Sequence, residues 1–203
     1  MNLTAQHLTP TDPIQPGDIL VEIARTAPGY IIRVGEALWG HLNRANHCGV
    51  VASVVYESDG DGGDRQVGVV AAEAYGGKGH QLHVRDLANF SGVIVRIPQL
   101  GPEIANAALE RLNAPYAWEA IARYTLWTLA RPLPRPLRRV VAAAADRIPQ
   151  RTGAVICSQA VIEAIDAAAG ATDALGLDTP AWNVSPAGLA DRLAGRRRDG
   201  WPL

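Results

Sequence analysis

Apolar positions along the chain change their period near residue 100, and that change sets the expected architecture. Before it, short runs rich in β-branched residues cover 19–23, 48–56, 66–75 and 93–97. Runs of this length bounded by glycine, aspartate or proline read as strands. The Asp/Gly-rich stretch 58–64 joins the second and third runs, which predicts an antiparallel hairpin. Gly76, Gly77 and Gly79 then break the chain, and Pro98 ends the last run. A small antiparallel sheet of about four or more strands is expected. The stretch 29–42 fits no template cleanly, although Ile31, Ile32, Val34, Leu38 and Trp39 approach one face of a short helix.

After Pro102 the spacing becomes helical, over 103–112 and again over 118–129. The segment Pro132-Leu133-Pro134-Arg135-Pro136 cannot continue a helix, because proline lacks the amide proton and clashes with the preceding turn. Helix is expected to resume over 140–148. A break at 149–153 precedes the apolar run 154–165, which places Cys157 near the start of a helix ending at Gly170. Residues 178–182 read as a loop, and Ser185-Pro186 as an N-cap followed by proline at the first helical position, opening a last helix through Leu193. Helices gathered after a sheet predict an α+β fold. A single domain over 1–203 is expected, with an extended arm at 1–16, a Pro/Arg-rich insertion at 129–150 and a flexible tail at 195–203.

Composition narrows the function classes. Hydrophobic residues make up 48% and charged residues 19%, enough to bury a core. A formal net charge of -1 gives no global attraction for nucleic acid. Local basic clusters at Arg131 to Arg139 and at Arg196, Arg197 and Arg198 read as solvated surface. The first residues lack a basic start and an apolar core, and no run reaches the roughly 18 to 20 apolar residues of a membrane helix. A soluble chain, cytoplasmic by default, is the expectation, with association with a virion or export by another route left open. Two cysteines make neither a disulfide framework nor a zinc pattern, so each is judged singly.

Chemistry-bearing residues fall in three places. His47 heads the valine-rich strand, where a site can reach it. Cys157 lies at a helix start, where unpaired amides and the helix dipole favour the thiolate, and its neighbours Ser158 and Gln159 are polar, as a cleft mouth requires. Glu73 ends the strand that should return beside His47, so its carboxylate can orient the imidazole. Strand alternation turns Cys48 to the face opposite His47, into the core, which argues against a resolving thiol. Tyr116 and Trp118 flank a helix start and could line the cleft. His41, His80 and His83 are held in reserve. A metal site from His80, His83 and Glu73 lacks a further ligand pattern, so no metal and no cofactor are expected.

In order, Gly17-Asp18-Ile19-Leu20, His47-x-Gly49-Val50-Val51, Glu73-Ala74, Pro115-Tyr116-x-Trp118, Cys157-Ser158-Gln159-x-Val161 and Ser185-Pro186-x-x-Leu189 resemble the circularly permuted NlpC-type papain-like proteins. Their YiiX-like branch is the nearest in pattern, with the lecithin retinol acyltransferase-like enzymes more distant. The resemblance covers 17 to about 193. It implies a compact α+β fold in which the cysteine starts a helix packed on a sheet carrying the histidine. Cys157 and His47 match the family motif residue by residue, whereas the third position varies in the family and Glu73 is assigned to it by strand position. The insertion 129–150 is longer and more basic than the pattern needs.

The expected function is therefore a cysteine hydrolase acting on an amide or ester. A peptidoglycan-type peptide, another amide and a lipid acyl group are the candidate substrates. An acyltransferase on lipid or amine acceptors uses the same residues, and the apolar helix 121–129 with the arginine segment suggests a peripheral membrane contact. A non-catalytic module of a larger assembly, such as a viral particle, is the reading from another class. The specificity loops 76–90 and 129–150 carry no pattern that names a substrate, and nothing in the sequence fixes the oligomeric state.

Overall fold

Two twelve-residue strands are the longest among the described residues of the computed structural model: His47–Ser58, β3, and Asp64–Tyr75, which returns beside it as β4. The structure describes residues 3–9, 11–23, 45–58, 63–130, 132–149, 151–177, 181 and 184–195. Residues 29–42 with His41, most of 178–182 and most of the tail lie outside the described residues. The other strands are β1 (Gln6–His7), β2 (Ile19–Glu22), β5 (Gly79–Asp86) and β6 (Gly92–Arg96). They build one six-stranded sheet in the order β1-β6-β2-β3-β4-β5, with antiparallel neighbours throughout. The helices are α1 (Gly101–Glu110), α2 (Trp118–Ala130), α3 (Arg135–Asp146), α4 (Cys157–Ala169) and α5 (Pro186–Leu193). The molecule is α+β, as the change of period predicts. No described helix is long and apolar enough to cross a membrane.

Alternation along β3 sorts its side chains between two apolar clusters. Cys48 and Val50 face α1, α4 and α5 in the larger core, together with Ile19, Val21, Ala72, Ile104, Val161, Ile165 and Leu189. Val51 turns the other way, into a smaller cluster with Ile14, Leu20, Val69 and Ala71. Burial of a leucine- or isoleucine-sized side chain stabilises the fold by roughly 1.5–3 kcal/mol, so the larger cluster, which anchors α4 to the sheet, dominates.

Two strands extend the sheet beyond the expected four. The pair Gln6–His7 inside the N-terminal arm pairs with β6, and the arm is held further by Arg96, which donates to both carboxylate oxygens of Asp18 at 2.7 Å and to the Pro13 carbonyl. β5 lies where the glycines suggest a loop. Its inward positions are Gln81, His83 and Arg85, while Leu82 and Val84 are 45% and 74% exposed. This inverted pattern hides an edge strand from a reading by hydrophobic alternation.

The proline-rich segment also differs from expectation. Pro134 caps α3 and Pro136 sits in its first turn, where a missing amide proton costs nothing, so helix begins at Arg135 rather than at 140. α4 ends as expected at Gly170, which adopts the left-handed conformation (φ 60°). Ser185 caps α5 by accepting from the Gly188 amide at 3.0 Å.

Candidate active site

Register brings the site together at one end of the sheet. Glu22 of β2 lies opposite His47, and Gly49 of β3 lies opposite Glu73. Gly49 matters here because a Cβ in its place would overlap Cγ of Glu73. The missing side chain lets the carboxylate lie across the strand towards the imidazole, and Nε2 of His47 stands 3.5 Å from Oε1 of Glu73. That is the long limit of a hydrogen bond, so the attraction is chiefly electrostatic. Both side chains are buried.

Cys157 opens α4. Its N-cap, Ile156, offers no side-chain hydrogen bond, so the first-turn amides retain their partial positive charge beside the sulfur. Two backbone bonds fix this helix start: the Val155 amide donates to the Pro115 carbonyl at 2.9 Å, and the Ala117 amide to the Val155 carbonyl at 3.0 Å. Cys157 belongs to the same buried apolar cluster as Cys48, with His47 near enough to act on its thiol. The hydrogen bond from Cys48 is the strongest influence lowering the Cys157 thiol well below its usual range; burial opposes it, and the His47 bond and charge assist it. Burial pulls His47 down, but hydrogen bonds and negative charge from Cys157 and Glu73 outweigh it and raise the imidazole to about 10. Both shifts favour the thiolate and imidazolium forms of the pair. Cys48 moves the opposite way, its thiol raised by burial first and then by its bond to Cys157.

Glu73 has further partners that the sequence did not single out. The Arg85 Nε donates to both of its oxygens at 3.1 and 3.0 Å, while the Arg85 guanidinium also meets Glu22 at 3.1 Å and the Tyr75 hydroxyl. The Tyr75 ring lies 4.5 Å from the His47 ring and 4.6 Å from that of His83. Glu22, His47 and Glu73 bring one ligand atom each within 4.8 Å of one another, the only such trio among the described residues. Arg85 already sits between the two carboxylates, so a cation would have to displace a guanidinium. His80 belongs to no such trio: buried, with burial lowering its pKa, it interacts with the Arg111 carbonyl at 3.2 Å.

The expected cleft residues divide. Tyr116 packs against the core beside Cys157, and burial followed by the cysteine charges raises its phenol. Its ring meets Trp118 edge-on at 5.0 Å, and Trp118 is half exposed over Gly76, where a Cβ would strike the indole. Gln159 lines a cavity of about 260 Å³ at the starts of α2 and α4, with Glu119, Arg151 and Thr152. Ser158 is not at the cleft mouth. It is fully buried and donates to the Val184 carbonyl at 2.5 Å, tying α4 to the segment before α5.

Cys48 lies in the core, as alternation predicts, and Cys157 belongs to the same apolar cluster. Arg85 and Glu22 could have been flagged by their register: Glu22 opposite the histidine, and Arg85 on the inward side of β5. Comparison with protein-family models, with curated proteins and with solved structures finds no match to this chain.

Proposed function

We propose that this chain is a thiol hydrolase of the permuted NlpC-type papain-like class, cleaving an amide or ester. The observation that carries the reading is the convergence of Cys157, His47 and Glu73 from a helix start and two strands, with the thiol lowered and the imidazole raised by their mutual influence. The Cys157 thiolate attacks the carbonyl carbon. First-turn amides of α4 stabilise the developing oxyanion. His47, already protonated, gives its proton to the leaving amine or alcohol, which leaves a thioester on Cys157. A water then loses its proton to His47 and attacks the thioester, releasing the acid. Glu73, held by Arg85, keeps the imidazole oriented and supports its positive charge. The cavity beside Gln159 offers room for a small acyl or amine group.

Alkylation by iodoacetamide tests the activated pair without a known substrate. Cys157 is expected to react at pH 6 at least about tenfold faster than a thiol of ordinary pKa near 8.5, and His47→Ala to remove most of that advantage. Equal rates, unchanged by His47→Ala, would return the chain to the class of non-catalytic modules. Hydrolysis of p-nitrophenyl acetate and of longer-chain esters, lost in Cys157→Ala, then addresses the reaction itself.

One observation favours a lipid acyl substrate or acceptor. Leu129, Leu137 and Val140 are 61%, 55% and 67% exposed around α2 and α3, and α3 also carries Arg135, Arg138 and Arg139. An apolar strip with arginines suits the surface of an anionic bilayer. Co-sedimentation with phosphatidylglycerol vesicles, weakened at least threefold by Leu137→Ser with Val140→Ser, is the expected result; no sedimentation of the unaltered protein removes this reading.

A further inference from the structure

Glu22 closes β2 at the end of the sheet where the site is assembled, and the chemistry proposed above gives it no part. Its backbone is held from both sides: the Asn46 amide donates to its carbonyl at 3.1 Å, and the amide of the next residue, Ile23, donates to the Ser91 carbonyl at 2.8 Å. Residues directly opposite in an antiparallel pair place their side chains on one face. Glu22 is opposite His47, and one of its carboxylate oxygens lies within 4.8 Å of a ring nitrogen of His47 and of an oxygen of Glu73. The Glu22 side chain is 15% exposed, so its charge is largely withdrawn from water.

The contact with Arg85 gives this carboxylate a task. A guanidinium facing one carboxylate commonly pairs with it through two parallel N–H···O bonds. Arg85 is arranged otherwise. Its Nε donates to both oxygens of Glu73, while its Nη2 meets Glu22 at 3.1 Å and donates to the Tyr75 hydroxyl. Glu22 thereby keeps one arm of the guanidinium off Glu73, whose Oε1 faces Nε2 of His47 at 3.5 Å.

We propose that Glu22 is a positioning residue of the hydrolase site: it divides the Arg85 guanidinium between two carboxylates and so sets how firmly Glu73 holds the His47 imidazole. The inference rests on the proposed function and adds to it a residue that acts through Arg85.

Charge gives the sign of the effect. Among the described residues, His47 is faced by Glu22 from β2, by Glu73 and Tyr75 from β4 and by Cys157 from α4. Cys48 follows it in β3, and His83 and Arg85 of β5 lie against the Tyr75 ring. Cys157 and Glu73 act on the imidazole directly. Arg85 brings one positive charge to two carboxylates, which leaves one negative charge for the imidazolium. Without Glu22 the guanidinium balances Glu73 alone, and Nη2 is released to complete a fork on it. Both changes weaken the hold on the His47 proton.

Nitrogen-15 NMR of the His47 imidazole in the full chain, followed from pH 6 to pH 11 and assigned by its loss in His47→Ala, tests the proposal. The unaltered protein is expected to titrate at about 10. Glu22→Gln, alike in shape but uncharged, should titrate roughly one pH unit lower, a roughly tenfold weaker hold on the proton. Glu22→Asp should fall between the two. Glu57→Gln removes a carboxylate that is 67% exposed on β3 and should leave the midpoint in place. Urea midpoints of the same variants report the fold. A Glu22→Gln protein with lowered stability and an unmoved His47 midpoint overturns the proposal, and so does an equal shift in Glu57→Gln. If Glu22→Gln does not fold, Glu22→Asp decides: it keeps the charge but draws it back by one methylene, and a midpoint equal to that of the unaltered protein overturns the proposal. Iodoacetamide rates separate the two readings. Fast, His47-dependent alkylation with a midpoint indifferent to Glu22 overturns this inference alone, whereas slow alkylation with a midpoint near the ordinary value of about 6.5 overturns both.

Discussion

Arg85 holds more of the site than any residue the sequence singles out. Glu73 is 1% exposed and its oxygens lie against a guanidinium that is itself 23% exposed, so the pair is largely withdrawn from water. Removing Arg85 leaves the buried Glu73 with His47 at 3.5 Å as its remaining charged neighbour, and takes the same guanidinium from the partly buried Glu22. Arg85→Ala is expected to lower the free energy of unfolding by about 3–5 kcal/mol, measured by urea denaturation at pH 7. Arg85→Lys should recover part of that loss, because a lysine returns the charge without the fork that meets both oxygens. A loss within measurement error for Arg85→Ala would mean that water already serves these carboxylates.

At the level of elements, what the sequence made legible was what depends on local pattern. The β3–β4 hairpin, the helix start at Cys157 and the proline-aided start at Pro186 follow from alternation, apolar spacing and capping. β5 stayed hidden because Gln81, His83 and Arg85 face inward and Leu82 and Val84 outward, against the hydrophobic rule. The role of Ser158 was also hidden, since nothing local indicates that its hydroxyl reaches Val184 across the chain. Pairing His47 with Glu73 needed only hairpin register, whereas bringing Cys157 to the sheet needed the packing of α4. Ser158→Ala separates anchoring from chemistry. It should cost about 1–2 kcal/mol in unfolding free energy, through the lost bond and the stranded carbonyl, while the pH dependence of Cys157 alkylation stays in place. A shifted alkylation profile with unchanged stability would put Ser158 in the site after all.

For the whole molecule, the opposed shifts of His47 and Cys157 link folding to pH. His47 is raised in the folded state, so its contribution is complete below the unfolded value near 6.5 and is lost as pH climbs through about 10. Cys157 is lowered, so its contribution is present above the unfolded thiol value and is lost as pH falls through the depressed one. The stability difference between the unaltered protein and His47→Ala is therefore expected to shrink between pH 8 and pH 10.5, as read from urea midpoints. A difference constant across that interval would mean that the imidazole is neutral in the fold. The order of the site along the chain adds a consequence in time. His47 and Glu73 belong to the sheet, whose last strand ends at Arg96, and Cys157 to a helix that starts about sixty residues beyond it. At roughly 5–20 residues per second, a ribosome completes the strands several seconds before it delivers the cysteine. During that interval the nascent sheet presents His47 and Glu73 without Cys157, so the arrangement of the three is completed last, when there is already a fold to contain it.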